Sequence, residues 1–123
     1  FIIYNADALE IYRTVYICEG AINAETLGEN GIATGGKAVS RWQVNKFIKS
    51  QVEKFIILID PDAKDKALDL AFKLVPFKKV KVVFLPDNED VNSLGKQRTL
   101  EYVRETTYQT YQELLTIKSQ LKL

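Results

Sequence analysis

The chain has 123 residues, of which 46% are hydrophobic and 27% are charged. This length is enough for one domain with a real core, and the composition is typical of a globular protein. The 17 Lys and Arg against 16 Asp and Glu leave a net charge of +1, which excludes a globally basic nucleic-acid-binding surface. Because the sequence begins with Phe1 rather than Met, we expect it to be part of a longer protein.

The residue types that are missing narrow the possible chemistry. Histidine is absent, which excludes a catalytic triad, an imidazole base and a histidine-ligated zinc site. The single cysteine, Cys18, cannot form an internal disulfide and is predicted to be a small buried hydrophobe, as suits a reducing cytoplasm. No apolar run approaches the length of a membrane span. Any catalysis must therefore rest on carboxylates and lysines.

Hydrophobic segments and helical periodicities alternate along the chain. The predicted strands are, in chain order, residues 15–18, 31–34, 54–59 and 80–85. The predicted helices are a brief one over 9–12, then 21–29 with a stop at 30–31, 40–51, 67–74 and, after a polar turn, helical sequence from about residue 99. Strand and helix alternate four times, which predicts an α/β fold with a mainly parallel four-stranded sheet and right-handed crossovers.

Two local signals are specific enough to predict backbone geometry. Ser40 and Gln43 have the spacing of a capping box at the start of the third predicted helix. Gly35 and Gly36 follow the second predicted strand, where two glycines permit positive φ angles or a close backbone approach.

The segment 55–65 is the most informative part of the chain. Five consecutive apolar residues predict a central strand that is buried on both faces. Asp60 and Asp62 follow at its carboxyl end, and ligands in open α/β sheets bind beyond the carboxyl ends of the strands. The sequence therefore predicts a site at these two acids.

Carboxylates follow two further predicted strands. Glu19 ends the first, and three acids follow the fourth: Asp87, Glu89 and Asp90. If Glu19 and Asp60 are to cooperate, their strands must be neighbours, as in the sheet order 2-1-3-4. Clustered carboxylates repel one another unless cations bind, and hard divalent cations prefer oxygen ligands. The pattern predicts a Mg²⁺ or Mn²⁺ site that acts on a phosphate substrate.

Each acid also has a structural interpretation. Asp62 stands just before a predicted helix and could be its N-cap. The acids after the fourth strand could be solvated turn residues, since 86–88 has a strong turn-forming sequence. The metal-site interpretation depends on all three strand ends being considered together.

The order of these motifs resembles the Toprim domain of bacterial and phage primases, type IA and II topoisomerases and some nucleases. The resemblance lies in Glu19-Gly20 after one strand and Asp60-Pro61-Asp62 after another. Further features are similar to the primases of the DnaG type: the segment 4–5, the segment 31–36 with its following helix, and 85–92, which resembles the family's final acidic motif. The match covers residues 1–98 as a Toprim catalytic domain, and 99–123 are predicted to be a C-terminal helical extension.

The resemblance implies the catalytic core of a DNA primase from a phage or mobile element, which makes RNA primers by metal-dependent nucleotidyl transfer. It implies catalytic roles for Glu19, Asp60 and Asp62 and a metal-binding role for these three and Asp90, with Mg²⁺ or Mn²⁺ as cofactor. The implied partners are a single-stranded DNA template, nucleoside triphosphates and a replicative helicase. Zinc-binding and basic primase subdomains are expected elsewhere in the parent chain, and the isolated fragment is expected to have little activity.

Two asparagines depart from the family pattern. Asn23 stands where an Asp usually follows the Glu-Gly motif, and Asn92 stands where the last motif usually has its second Asp. Each amide oxygen can still be a neutral metal ligand, so we expect a site of reduced charge.

Basic and aromatic residues suggest where a nucleic acid or nucleotide would bind. Lys37 and Lys96 are predicted to lie nearest the acidic edge and to bind the nucleic acid or nucleotide there. Trp42, the only tryptophan, is predicted to pack between helices, with base stacking as the alternative.

Two other functions stay open at this point. One is a Toprim nuclease or topoisomerase fragment. The other is a receiver-like signalling domain phosphorylated on Asp60, which would need two adjacent acids after the first strand and a lysine after a fifth.

Overall fold

The computed structural model describes residues 2–36 and 38–123. Its four strands are β1 (Thr14–Cys18), β2 (Gly31–Ala33), β3 (Lys54–Ile57) and β4 (Lys79–Val82). They form one sheet in the order β2-β1-β3-β4, and every neighbouring pair is parallel. The predicted α/β class and the predicted adjacency of the first and third strands are both confirmed.

Seven α-helices in the described residues flank this sheet. They are α1 (Ala8–Ile11), α2 (Ala21–Leu27), α3 (Arg41–Lys49), α4 (Lys64–Leu74), α5 (Val91–Leu94), α6 (Lys96–Glu105) and α7 (Tyr111–Gln120), with a 3-10 turn at Pro61–Ala63 before α4. None of the described helices is long and apolar enough to cross a membrane.

Alternate side chains of the strands point into two separate cores. On one face Ile17, Ile57 and Phe55 pack with residues of α3, α4 and α7, and the Phe47 and Phe55 rings lie 5.5 Å apart. On the other face Ile56 and its neighbours pack with residues of α2, α5 and α6. Burial on both faces explains why the sequence of β3 is continuously apolar rather than alternating.

Two local predictions are confirmed at the end of β2. The Ser40 hydroxyl accepts from the backbone of Gln43 at 3.1 Å, and the Gln43 side chain accepts from the backbone of Ser40 at 3.0 Å, which completes the capping box. Gly35 and Gly36 have φ angles of +96° and +79°. The Gln43 side chain also donates to Thr34 O at 3.1 Å, and this bond holds the start of α3 against the segment that follows β2.

The structure corrects several predicted boundaries: β3 ends at Ile57 rather than at residue 59, and β4 ends at Val82 rather than at residue 85. Helix α2 ends at Leu27 and not at residue 29, because Gly28 takes a φ of +105° and its N–H caps the helix. Helical structure after the fourth strand begins at Val91 and not near residue 99, so the expected boundary between 98 and 99 falls inside α6. Val103 of α6 and Leu114 of α7 are both buried in the cores, which joins this C-terminal region to the rest of the fold.

Candidate active site

The predicted acids come together at one edge of the sheet. Because β1, β3 and β4 are parallel, the segments that follow them all leave the sheet at its carboxyl edge. A cleft of about 300 Å³ opens there between the segment after β3 and the segment after β4. Its acidic lining residues are Asp60, Asp62, Glu89 and Asp90.

Glu19 lies beside this cleft in a partly buried position. Its Oε1 atom is buried and has no hydrogen-bond partner among the described residues. Burial raises the pKa of the Glu19 carboxyl, and the charges of Asp60 and Asp62 raise it further, while the charge of Lys66 opposes them. Glu19 therefore has a carboxylate oxygen without a hydrogen-bond partner, next to other carboxylates, and this oxygen could bind a cation.

Asp60 also lies close to other carboxylates. Burial raises its pKa first, and the charges of Asp90 and Asp62 add to the effect. Its Oδ1 atom accepts a long hydrogen bond of 3.5 Å from the side-chain amide of Asn23. Mutual repulsion and one weak donor leave this carboxylate free to bind a cation.

Asn23 joins two of the strand-end segments. Its side chain is buried, with 7% exposed. While its Nδ2 donates to Asp60, its Oδ1 accepts from the backbone N–H of Asn92 at 3.0 Å. The Thr26 hydroxyl in turn donates to the Asn92 Oδ1 at 3.5 Å. Each of the two amide oxygens accepts one hydrogen bond and keeps a second lone pair, so a metal-binding role for the two asparagines stays a prediction.

The capping role considered for Asp62 is wrong. Asp62 lies within the 3-10 turn, the residue before α4 is Ala63, and no side chain caps that helix. Because Asp62 belongs to the 3-10 turn rather than to the start of α4, the exposed carboxylate of Asp62 lines the cleft instead.

Asp90 is the N-cap of α5, a role that was not predicted from the sequence. Its Oδ1 accepts from the backbone N–H of Ser93 at 2.8 Å, and its own N–H donates to the Ser93 hydroxyl at 2.9 Å. One oxygen of Asp90 thus stabilises the start of α5, while the residue still lines the cleft. Capping and metal binding are compatible in such a carboxylate.

The structure places a lysine that was not predicted, Lys66, near the acids. Lys66, in the first part of α4, is the cation whose charge acts on Glu19. Its position in the helix directly after Asp60 and Asp62 was a signal that could have identified it. Lys96 lies elsewhere, because its Nζ atom is close to Gly28, at the end of α2 that is far from Glu19. A Cβ added to Gly28 would be 3.4 Å from this Nζ atom. Lys37, the other predicted residue, lies outside the described residues.

The donor chemistry of this edge fits a hard divalent cation. In residues 2–36 and 38–123, no group of three or more Asp, Glu or Cys side chains converges to enclose an ion. Mg²⁺ commonly needs only one or two carboxylates and completes its shell with water and substrate phosphates. The unpaired Glu19 oxygen and the repelling carboxylates around Asp60 are what an open site of that kind requires.

Cys18, the last residue of β1, is fully buried next to this site. Burial raises the pKa of its thiol to about 12, and the charge of Asp60 adds to this. The thiol therefore stays protonated and acts as core, as the sequence predicted.

Comparison with known proteins identifies the fold. Neither the protein-family models nor the curated proteins contain a match to this sequence. Among solved structures, a DnaG primase catalytic domain bound to ssDNA superposes with a TM-score of 0.74 at 19% identity, over 98% of this chain and 43% of that one. The chain thus shares its fold with primase catalytic domains, and the likeness to the Toprim fold expected from the motifs is confirmed.

Two primases of named organisms give the same result. A DNA primase domain from Pseudomonas aeruginosa matches with a TM-score of 0.70 at 20% identity, over 86% of this chain and 38% of that one. The Aquifex aeolicus primase, in its zinc-binding and RNA polymerase domains, matches with a TM-score of 0.68 at 22% identity, over 86% of this chain and 29% of that one. The chain spans less than half the length of each of these structures.

Proposed function

We propose that this chain is the Toprim catalytic domain of a DNA primase, which makes RNA primers on single-stranded DNA by metal-dependent nucleotidyl transfer. One observation carries the proposal: Glu19, Asp60 and Asp62 follow neighbouring parallel strands at one sheet edge, where the charges of Asp60 and Asp62 raise the pKa of Glu19. The likeness of fold to primase catalytic domains supports it.

Glu19, Asp60 and Asp62 are the proposed catalytic residues, and with Asp90 they would hold Mg²⁺ or Mn²⁺. Bound there, divalent cations would neutralise the phosphates of an incoming nucleotide and activate the 3′ hydroxyl of the primer. The residues themselves supply the negative charge and the oxygen ligands. Asn23 positions Asp60 and the segment of Asn92 relative to each other, so that the β3 and β4 acids keep their spacing.

The proposed substrates are a single-stranded DNA template and nucleoside triphosphates, and a replicative helicase is a proposed partner. One of the similar structures is a primase domain bound to ssDNA, which supports the template assignment. Zinc-binding and basic subdomains in the parent chain would complete the enzyme, which is expected in the cytoplasm of its host. A phage or mobile-element origin and a contact of Lys37 with the substrate remain predictions from the sequence.

The metal site is tested most directly by NMR of the isotope-labelled chain during stepwise addition of Mn²⁺. Paramagnetic broadening should reach the signals of Glu19, Asp60 and Asp62 before any others, because the ion would bind among them. The double variant Asp60→Asn with Asp62→Asn should lose this selective broadening. Glu101→Gln, which removes an exposed acid of α6, is the matched control and should keep it. Broadening that is absent, or uniform along the chain, would refute the proposed site.

The receiver-like alternative also places an acid after the third strand. It requires a lysine after a fifth strand, and the sheet formed by the described residues has four strands. Incubation with acetyl phosphate, followed by mass spectrometry, separates the two functions. A covalent phosphoaspartate at Asp60 would favour signalling over nucleotidyl transfer.

A further inference from the structure

A groove separate from the acidic cleft lies between α1 and α3. Its volume is about 570 Å³, within the range of roughly 300 to 1,000 Å³ that is usual for ligand clefts. The lining residues are Ala6, Leu9, Glu10, Trp42, Asn45, Lys46, Lys49, Ser50 and Gln51. Most of these side chains are polar or charged, so the groove differs from the apolar surfaces on which helices pack.

Trp42 is the most unusual residue in this groove. It is 50% exposed, although large aromatic side chains are usually well buried. The prediction that it packs between helices is therefore wrong. The Lys46 ammonium lies 5.8 Å from the centre of its ring, which places a positive charge directly beside an exposed aromatic surface.

The charge of the groove is unbalanced. Lys46 and Lys49 are both exposed, and neither forms a salt bridge within residues 2–36 and 38–123. Glu10, across the groove on α1, supplies one negative charge against these two positive ones. An aromatic ring with lysines along the same helix is the combination with which proteins bind single-stranded nucleic acids: bases stack on the ring and phosphates contact the lysines.

The groove begins at the edge of the sheet where the acids lie. Glu19 O accepts from Gly35 N at 2.8 Å, and the Gln43 side chain donates to Thr34 O at 3.1 Å, so the start of α3 is linked to Glu19. Trp42 precedes Gln43 in the first turn of this helix. From Trp42 to Lys49 the helix rises ~10 Å, about the length of three stacked nucleotides. A strand bound along α3 would therefore lead toward the acidic cleft.

We propose that the groove between α1 and α3 binds single-stranded DNA, with a base stacked on Trp42 and phosphates held by Lys46 and Lys49. The choice of DNA rests on the proposed primase function. The exposed ring and the two lysines are features of the groove itself. This contact is additional to the acidic cleft, and its role is to guide the template strand to that cleft.

Because Trp42 is the only tryptophan, its fluorescence reports on this groove alone. The 123-residue chain should be titrated with an oligothymidylate of about ten nucleotides, a length within the usual site sizes of single-strand-binding folds. Saturable quenching of Trp42 that weakens with salt is expected, and a duplex of the same length should not produce it. Absence of oligonucleotide binding, or binding without quenching, would overturn the proposal and favour a protein segment as the occupant.

Variants measured by anisotropy of a labelled oligonucleotide separate stacking from charge. Trp42→Ala should weaken binding roughly tenfold to a hundredfold, and Trp42→Phe should weaken it less. Lys46→Gln and Lys49→Gln should each reduce the slope of log affinity against log salt by about 0.7. Arg98→Gln removes an exposed charge on α6, across the sheet from α3, and should leave both quantities unchanged.

The outcome is independent of the test of the metal site. Selective Mn²⁺ broadening with an unchanged affinity of Trp42→Ala would refute the groove and keep the catalytic proposal. Quenching of Trp42 without selective Mn²⁺ broadening would support the groove and refute the proposed metal site. Circular dichroism of Trp42→Ala should match that of the unmodified chain, since the side chain is half exposed.

Discussion

The side-chain oxygen of Asn23 accepts a 3.0 Å hydrogen bond from the backbone N–H of Asn92, which lies 69 residues later in the chain. The amide nitrogen of the same side chain donates to Asp60. One buried residue on α2 thus connects the acidic segments that follow β3 and β4. The two departures from the primase pattern therefore contact each other, through the side chain of Asn23 and the backbone of Asn92.

Replacing Asn23 with alanine should destabilise the protein by about 1–3 kcal/mol, because a partly buried N–H and a carboxylate would both lose their partner. The free energy of unfolding from urea titration measures this effect. Asn92→Ala keeps the backbone N–H and is the matched control, with an expected loss below about 0.5 kcal/mol. Equal losses for the two variants would contradict the bridging role of Asn23.

Replacing Asp60 with asparagine should stabilise the metal-free protein, because it removes a carboxylate whose ionised form is disfavoured by burial and by Asp90 and Asp62. The same variant should lose the stabilisation by Mg²⁺, which for a bound ligand at a hundred times its Kd is about 2.7 kcal/mol. Thermal unfolding with and without Mg²⁺ measures both effects. A variant that Mg²⁺ stabilises as much as the unmodified chain would show that Asp60 is not a ligand.

Gly31 lies at the start of β2 against the backbone of α2, where an added Cβ would overlap the carbonyl of Ala24. Gly31→Ala should therefore destabilise the fold by about 1–3 kcal/mol, since a backbone atom cannot move aside as a flexible side chain can. Gly20→Ala is the control, because no atom lies within 4 Å of a Cβ there. The two midpoints of urea unfolding should differ clearly, and coincident midpoints would show that the contact between α2 and β2 is looser than described.

Lys81 should make the stability depend on pH. It is buried, its ammonium donates to Val103 O at 3.0 Å, and it lies 4.4 Å from the Tyr108 ring centre. Burial lowers its pKa below the usual 10.5, and the charge of Lys54 adds to this. Between the two pKa values the unfolded chain binds more protons than the folded chain, so stability should rise with pH in that window.

Unfolding of Lys81→Met should lack this rise, because methionine carries no proton. Urea titrations from about pH 8 to about pH 10.5 measure it as a difference from the unmodified chain, so that the titration of the tyrosines cancels. Lys79→Met removes an exposed lysine 6.0 Å from the centre of the same ring and should retain the rise. Parallel profiles for the unmodified chain and Lys81→Met would contradict the prediction.

Local patterns in the sequence determine most of the fold. A short, continuously apolar segment indicates a strand covered on both faces, and the Ser40 and Gln43 spacing places the start of α3. Once the strands are parallel, the residues that follow them share an edge, which is why Asp60 and Asp62 could be placed at a site from sequence alone. These features depend on residues close together in the chain.

Only the tertiary structure decides contacts between distant segments. The link between Asn23 and Asn92, the charge of Lys66 beside Glu19 and the exposure of Trp42 all depend on how helices and loops pack across the sheet. Helical periodicity shows which face of a helix is apolar, but it cannot show whether a residue beside that face will be covered by another element. The sequence therefore determined the acidic edge, while packing decided which neighbours tune it and which aromatic surface remains open to a ligand.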